Sequence, residues 1–160
     1  MSEMKSVVLF YTWSGRTKKM AEIIAKKTGA DMLEIKPRTR YPQAYDAVVK
    51  QAKNEIQRGF LPEINNTDCD LSRYDIIYTG TPIWCGTMAP PLASFLNSHD
   101  FSGKIVMPFS SHGGGGKGHS DRDITRLCAG AEVKEMFAAY EGGGNKAEKE
   151  ISRWIADNIE

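Results

Sequence analysis

Short apolar runs alternate with helical patterns along the chain, and this alternation limits the folds that the chain can adopt. The apolar runs that predict strands are residues 7–11, 30–36, 74–80, 104–110 and 132–140. The helical patterns are residues 17–28, residues 45–59, a segment that begins at Pro90, residues 121–128 and a last segment after Asn145. Strands separated by helices pair in parallel through right-handed crossovers. The sequence therefore predicts an α/β fold, a three-layer doubly wound sandwich around a five-stranded parallel sheet.

Length and composition indicate one domain and exclude some classes of function. The 160 residues are 41% hydrophobic and 26% charged, so we expect residues 1–160 to form a single globular domain. No apolar run approaches the roughly 20 residues that cross a bilayer. The net charge is +1, from 21 basic and 20 acidic residues without long blocks of either sign, so nothing predicts nucleic-acid binding.

The cysteines and the N-terminus favour a cytoplasmic location. Cys69, Cys85 and Cys128 form no C-x-x-C pair and leave one thiol over in any disulfide scheme, as is typical of a reducing compartment. Residues 1–5 are too few and too polar for a signal peptide. We therefore expect the protein in the cytoplasm.

Three loops form the predicted ligand site. In a doubly wound sheet, ligands bind beyond the carboxyl ends of the strands, near the point where strand order reverses. The loops after the first, third and fourth predicted strands are residues 12–17, 81–88 and 110–119, the first, second and third loop. Their composition is unlike that of ordinary connections, so topology and chemistry predict the same place.

The first loop has the composition of an anion site. Thr12, Ser14 and Thr17 place hydroxyls around Gly15, between a buried strand and an amphipathic helix. The first N–H groups of a helix lack intrahelical acceptors and carry partial positive charge, so they bind phosphate readily. The loop matches neither G-x-x-x-x-G-K-[ST] nor G-x-G-x-x-G, which argues against a nucleoside triphosphate or NAD. A simple helix cap by Ser14 or Thr12 is the alternative.

The second loop contains an aromatic side chain suited to a flat ligand. Trp84 stands beside Cys85 and Gly86, shortly after a predicted strand. An indole exposed in a loop is costly unless a planar ring stacks on it, and the alternative is that the indole packs into the core. No arginine follows Cys85 at the spacing of a phosphatase signature, so we do not expect a catalytic cysteine.

The third loop is rich in glycine. The N–H groups of residues 113–116 are free of side-chain obstruction and are suited to hydrogen bonds with the edge of a heterocycle. His112 and His119 lack a further ligand at the spacing that zinc requires, so we predict no metal site.

Together these loops resemble those of the flavodoxin family, and the similarity extends over nearly the whole chain. The family's phosphate motif, [TS]-x-[TS]-G-x-T, reads Thr12-Trp13-Ser14-Gly15-Arg16-Thr17 here. The fifth strand has no long insertion, so the chain resembles the short-chain type. The resemblance implies a flavodoxin-like fold, the strand order 2-1-3-4-5 and non-covalent binding of FMN.

The resemblance also implies which residues contact FMN. The implied phosphate contacts are Thr12, Trp13, Ser14, Gly15, Arg16 and Thr17. Trp84 corresponds to an aromatic side chain beside the flavin ring. The other implied contacts come from the second and third loops, namely Thr81, Pro82, Ile83, Cys85, Gly86, Ser110, Ser111, His112, Gly113 and Gly114.

Two departures from the family bear on the role of the chain. Flavodoxins place a second aromatic side chain in the third loop and are strongly acidic, whereas this loop offers only His112 and glycines and the chain is nearly neutral. The resemblance implies an electron carrier that serves redox partner proteins. An open flavin face leaves the alternative of an FMN-dependent NAD(P)H or quinone reductase. A flavodoxin-like binding module without flavin is a third interpretation.

Overall fold

Helices and strands alternate in the computed structural model of the chain, which describes residues 4–65 and 69–159. Residues 1–3 of the polar N-terminal segment, residues 66–68 and residue 160 lie outside the described residues. The described strands are β1 Ser6–Phe10, β2 Asp31–Glu34, β3 Ile76–Trp84, β4 Thr87–Met88, β5 Ile105–His112, β6 Glu132–Val133 and β7 Phe137–Tyr140. The described helices are α1 Arg16–Thr28, α2 Tyr45–Arg58, α3 Pro90–Asn97, α4 Ser120–Leu127 and α5 Ala147–Asn158.

The strands form a mainly parallel sheet in the order β2-β1-β3-β5-β6. Val7 of β1 pairs with Ile77 of β3, and Ile77 pairs in turn with Val106 of β5. β7 also pairs in parallel with β5, while β4 pairs antiparallel with β3 as an added hairpin strand. The short strand β4 has no counterpart in the prediction. β5 is therefore the fourth predicted strand, β6 and β7 together are the fifth, and the observed order corresponds to the predicted 2-1-3-4-5. The predicted α/β fold is confirmed.

Alternate side chains of the central strands pack against helices on opposite faces of the sheet. Phe10 of β1 lies in a buried cluster with Met20 of α1 and Ile151 of α5. Its neighbour Leu9 lies in a second buried cluster, which includes Leu92 of α3 and residues of α2 and α4. Each fully buried side chain of this kind contributes about 1.5–3 kcal/mol. The sheet is therefore covered on both faces, as a parallel sheet requires.

No helix of the described residues is both long and apolar enough to cross a membrane. The longest of them, α2, has 14 residues, whereas a span needs about 20.

The third strand ends at Trp84, later than predicted. β3 stays paired with β5 as far as Pro82, which lies opposite Ser111. The chain then reverses at Cys85 and Gly86, whose φ angles are 52° and 81°. Positive φ at both central positions is typical of the two-residue hairpin turn that matches strand twist. The second loop is therefore a β-hairpin rather than an irregular connection.

The fifth predicted strand, residues 132–140, is interrupted between β6 and β7. In the intervening segment, the buried sulfur of Met136 accepts a hydrogen bond from the hydroxyl of Ser110 at 3.4 Å. The carbonyl oxygen of Glu135 accepts the indole N–H of Trp154 at 2.8 Å. The prediction of one continuous strand was wrong because this segment carries one extra residue: Val106 and Phe109 of β5 are three positions apart, whereas their partners Val133 and Phe137 are four positions apart.

Gly80→Ala should destabilise the fold. A Cβ on Gly80 would lie 2.2 Å from Cζ of Phe109, a fully buried ring of β5. Overpacking of this kind costs about 1–3 kcal/mol of unfolding free energy, so the midpoint of urea denaturation should fall. Gly115→Ala is the control, because its Cβ would meet no described atom within 4 Å. A wild-type midpoint for Gly80→Ala would contradict the prediction.

Candidate functional site

The carboxyl ends of β1, β3 and β5 border a cleft of about 380 Å³. Small-molecule sites commonly have volumes of roughly 300–1,000 Å³. The lining residues that come from the three loops are Trp13, Ser14, Arg16, Pro82, Ile83, Trp84, Cys85, Ser111, His112 and Gly113. Loops that are far apart in the sequence therefore meet at one place.

The first loop presents an open helix N-terminus to the cleft. Gly15, with a φ of 97°, precedes α1, and its N–H donates to the hydroxyl oxygen of Thr12 at 3.0 Å. The N–H of Lys19 donates to the carbonyl oxygen of Gly15, so the N–H groups of residues 16–18 have no intrahelical acceptor. A Cβ built on Gly15 would meet no described atom within 4 Å. The loop thus offers oriented donors with partial positive charge to an anion that approaches from open space.

Two contacts from other parts of the chain orient the first loop. The indole N–H of Trp13 donates to the carbonyl oxygen of Pro42 at 2.9 Å. The guanidinium of Arg16 lies 3.6 Å from the carboxylate of Glu141, and both side chains are about half exposed. An ion pair at that exposure contributes little to stability, so its effect is on the direction of the Arg16 side chain. Pro42 and Glu141 were not predicted, because only folding brings them to this loop.

Trp84 belongs to an aromatic cluster with Tyr11 and Tyr41. The half-buried indole packs edge-to-face against these two rings, with centroid distances of 5.6 and 5.0 Å. The indole also lines the cleft. Packing against the core therefore anchors Trp84, and its remaining surface borders the cleft. Stacking of a planar ring on Trp84 stays a prediction.

A buried carboxylate lies behind the aromatic cluster. The hydroxyl of Tyr41 donates to Oε1 of Glu55 at 2.5 Å, and the side-chain amide of Gln51 donates to Oε2 at 2.9 Å. Burial, followed by the hydrogen bond with Glu55, raises the pKa of Tyr41 well above its ordinary value. Burial, followed by the charge of Glu55, likewise raises the pKa of Tyr11. Both phenols are therefore held in the neutral form.

The second and third loops are joined at the hairpin turn. The N–H of His119 donates to the carbonyl oxygen of Gly86 at 2.8 Å. Gly118 has a φ of 57°, and a Cβ there would lie 2.1 Å from the same oxygen, so the contact requires glycine. The hydroxyl of Thr87 donates to the carboxylate of Asp123 in α4 at 2.6 Å. These contacts set the distance between the two loops.

Two backbone N–H groups of the third loop donate hydrogen bonds to a side chain of the same loop. The Nδ1 atom of His112 lies 3.1 Å from the backbone nitrogen of Gly114 and 3.2 Å from that of Gly116. Two of the N–H groups that were predicted to meet a heterocycle therefore have an acceptor within the loop.

The other predicted contact residues do not line the cleft; they are Thr12, Gly15, Thr17, Thr81, Gly86, Ser110 and Gly114. Thr81 and Ser110 are fully buried. The hydroxyl of Thr81 accepts the N–H of Ala89 at 2.9 Å, and that of Ser110 donates to the sulfur of Met136. These two hydroxyls support the floor of the cleft. Contacts of these residues with a cofactor stay predictions.

One wall of the cleft was not predicted from the sequence. Helix α2 contributes Tyr45, Val48, Val49 and Ala52 to the lining. Val48 and Ala52 are buried, whereas Tyr45 and Val49 remain 70% and 39% exposed. The sequence signal that could have indicated this wall is the spacing of Tyr45 and Val49, an apolar pair at positions i and i+4 of a predicted amphipathic helix.

The positions of the His, Cys, Asp and Glu side chains bear on metal ligation and thiol reactivity. Within residues 4–65 and 69–159, no group of three or more His, Cys, Asp or Glu side chains is placed to hold a metal ion. No disulfide involves Cys69, Cys85 or Cys128, and burial raises the pKa of Cys128 to about 12. Cys128 is therefore inert at neutral pH.

The family of the chain follows from its sequence as a whole. A family model described as flavodoxin matches residues 5–158, so the chain belongs to the flavodoxin family. A comparison with curated protein sequences gives no significant match.

Solved structures share the fold of the chain. A protein from Bacteroides eggerthii DSM 20697 is 24% identical, with a TM-score of 0.84 over 97% of this chain and 98% of its own. Oxidised flavodoxin 1 from Bacillus cereus is 16% identical, with a TM-score of 0.58 over 96% of this chain and 95% of its own. A flavoprotein from Lactobacillus acidophilus NCFM, solved in complex with FMN, is 25% identical, with a TM-score of 0.74 over 95% of this chain and 99% of its own. The predicted flavodoxin-like fold is confirmed.

Tyr41→Phe should change how stability depends on pH in the alkaline range. A phenol whose pKa is raised by folding stabilises the fold fully below its unfolded pKa of about 10, and this stabilisation is lost as the pH rises further. Above about pH 10, the unfolding free energy of the variant should therefore fall with pH less steeply than that of the wild type. The two slopes should differ by up to about 1.4 kcal/mol per pH unit. Urea denaturation between about pH 8 and about pH 11 measures the slope.

The same variant should also be less stable at neutral pH. Glu55 would lose a buried hydrogen-bond donor, which costs about 1–3 kcal/mol. Tyr45→Phe is the matched control, because Tyr45 is 70% exposed, and it should leave both quantities unchanged. An alkaline slope in Tyr41→Phe that equals the wild-type slope would show that the phenol is not held neutral by folding.

Proposed function

We propose that this protein binds FMN non-covalently in the cleft and transfers electrons between redox partner proteins. Membership of the flavodoxin family supports the proposal, and so does the FMN complex of the Lactobacillus acidophilus flavoprotein. When bound, FMN supplies the redox chemistry, and the residues of the chain bind and orient it.

The observation that carries the proposal is an anion site and an aromatic wall in the same cleft. Ser14, Arg16 and the first N–H groups of α1 suit a phosphate group. Trp84 and Ile83 suit a flat apolar ring. FMN has a phosphate at one end and a planar ring at the other, so the residues present fit this cofactor. The Gly86 contact described above would keep the two loops beside the ring at a constant spacing.

A second candidate, an FMN-dependent NAD(P)H or quinone reductase, is favoured by the α2 wall. Tyr45 and Val49 extend the cleft beyond the three loops and expose apolar side chains there. Exposed apolar surface beside a cleft is typical of binding sites. The electron carrier stays the first proposal, because membership of the flavodoxin family supports it and it needs no reacting group besides the flavin. A cytoplasmic location is proposed with it, on the cysteine pattern.

FMN should bind more tightly than riboflavin, which lacks the phosphate. A hydrogen bond to a charged group contributes about 1.5–3 kcal/mol, which corresponds to at least about tenfold in affinity. Ser14→Ala should therefore weaken FMN binding about tenfold and leave riboflavin binding unchanged. Quenching of flavin fluorescence in titrations of the apoprotein measures both.

The matched control for this titration is Ser152→Ala, which removes an exposed hydroxyl from α5. It should bind FMN as the wild type does. Equal affinities for FMN and riboflavin would contradict the phosphate assignment, and a wild-type protein that fails to bind FMN would refute the proposed function.

Reduced nicotinamide should leave the FMN-loaded protein unchanged when no other protein is present. An electron carrier depends on a reductase protein, so the flavin absorption should persist for minutes after anaerobic mixing with NADH or NADPH. Rapid bleaching would favour the reductase instead. In that case Val49→Asp, which places a charge on the α2 wall, should slow the bleaching, whereas Glu22→Gln on the exposed side of α1 should not.

A further inference from the structure

The hydrogen bonds of His112 assign its tautomer. His112 is the last residue of β5 and lines the cleft between Ser111 and Gly113. Its Nδ1 accepts the N–H groups of Gly114 and Gly116, at nitrogen–nitrogen distances of 3.1 and 3.2 Å. An imidazole nitrogen that accepts hydrogen bonds carries no proton, so the proton of the neutral ring is on Nε2.

Side-chain packing contributes little to the order of residues 113–116. A Cβ built on Gly113, Gly115 or Gly116 would meet no described atom within 4 Å. One built on Gly114 would approach the ring of Tyr140 at 3.9 Å, which is ordinary van der Waals contact. The two hydrogen bonds to Nδ1 are therefore the main restraints on this part of the third loop.

The Nε2–H of His112 has no partner among the described residues. A donor that loses water without gaining an acceptor bears the full cost of its desolvation. A ligand that covers the half-buried ring of His112 has to supply that acceptor to avoid this cost. The N–H groups of Gly114 and Gly116 do not compete for the same acceptor, because they donate to Nδ1.

We propose that His112 contributes to binding of the ring through both of its nitrogens. Nδ1 holds the third loop in place, and Nε2–H donates to an acceptor on the ring edge, either a carbonyl oxygen or an unprotonated ring nitrogen. This inference rests on the proposed function, because FMN is the ring in question. The imidazole thus takes the place of the backbone N–H groups of Gly114 and Gly116, which the sequence had indicated for the ring edge.

Two amide substitutions separate the two roles. His112→Asn keeps a polar atom near the position of Nδ1 and loses Nε2, whereas His112→Gln keeps an amide near Nε2 and loses the acceptor at Nδ1. His112→Ala loses both nitrogens. His119→Asn is the control, because it changes the other histidine of the third loop, whose side chain does not contact Gly114 or Gly116.

The role of Nδ1 is tested on the apoprotein. Nitrogen-15 NMR at neutral pH should show Nδ1 of His112 unprotonated and Nε2 protonated. Amide hydrogen exchange at Gly114 and Gly116 should be about tenfold faster in His112→Ala and His112→Gln. His112→Asn should restore much of the protection, and His119→Asn should match the wild type. A proton on Nδ1, or wild-type exchange in His112→Ala, would overturn this role.

The role of Nε2 is tested by FMN titration. His112→Asn should bind FMN about three- to tenfold more weakly, the effect of one neutral hydrogen bond. His112→Gln should recover part of the affinity that His112→Ala loses. Wild-type affinity in His112→Asn, or equal affinities for His112→Gln and His112→Ala, would overturn this role. If the wild type does not bind FMN at all, the proposed function and the Nε2 role both fail, while the apoprotein measurements still decide the role of Nδ1.

Discussion

The parallel pairing of β1, β3 and β5 is the constraint on which the rest of the structure depends. Ile77 of β3, the central strand of the sheet, is fully buried and pairs with Val7 on one side and Val106 on the other. Parallel strands that are covered by helices on both faces end at the same edge of their sheet. Three loops from separate parts of the chain therefore begin side by side. The position of the cleft follows from backbone hydrogen bonding in the core and not from the composition of the loops.

Close packing between the core and the loops fixes the positions of the residues around the cleft. Gly80 leaves room for the ring of Phe109 just below the edge of the sheet, and Gly118 lets the third loop approach the carbonyl of Gly86. Behind Trp84, the aromatic cluster ends at Glu55, a buried carboxylate that would be costly without its donors. The side chains that border the cleft are thus held by contacts that lie outside it.

Much of the fold could be predicted, because burial follows local periodicity. The alternation of Leu9 and Phe10 between the two faces of the sheet is a property of any strand. Of the cleft lining, the first loop was the most predictable part, since the residues that it contributes, Trp13, Ser14 and Arg16, lie within six consecutive residues, 12–17. The α2 wall was less predictable. Val49 has the same side chain as its neighbour Val48, and only the fold determines that Val48 is buried while Val49 stays exposed.

The sequence by itself determined the elements, their parallel arrangement and the loops at which a ligand site forms, because these depend on periodicity, turn chemistry and helix termini. Only the tertiary structure decided that β3 continues to Trp84, that residues 132–140 divide into two strands and that Thr81 is buried below the cleft. It also decided that His112 accepts hydrogen bonds from its own loop. Most of these outcomes depend on contacts between residues far apart in the chain, and the His112 bonds depend on the conformation of a glycine loop. Each such contact is worth about 1 kcal/mol, enough to override a local preference.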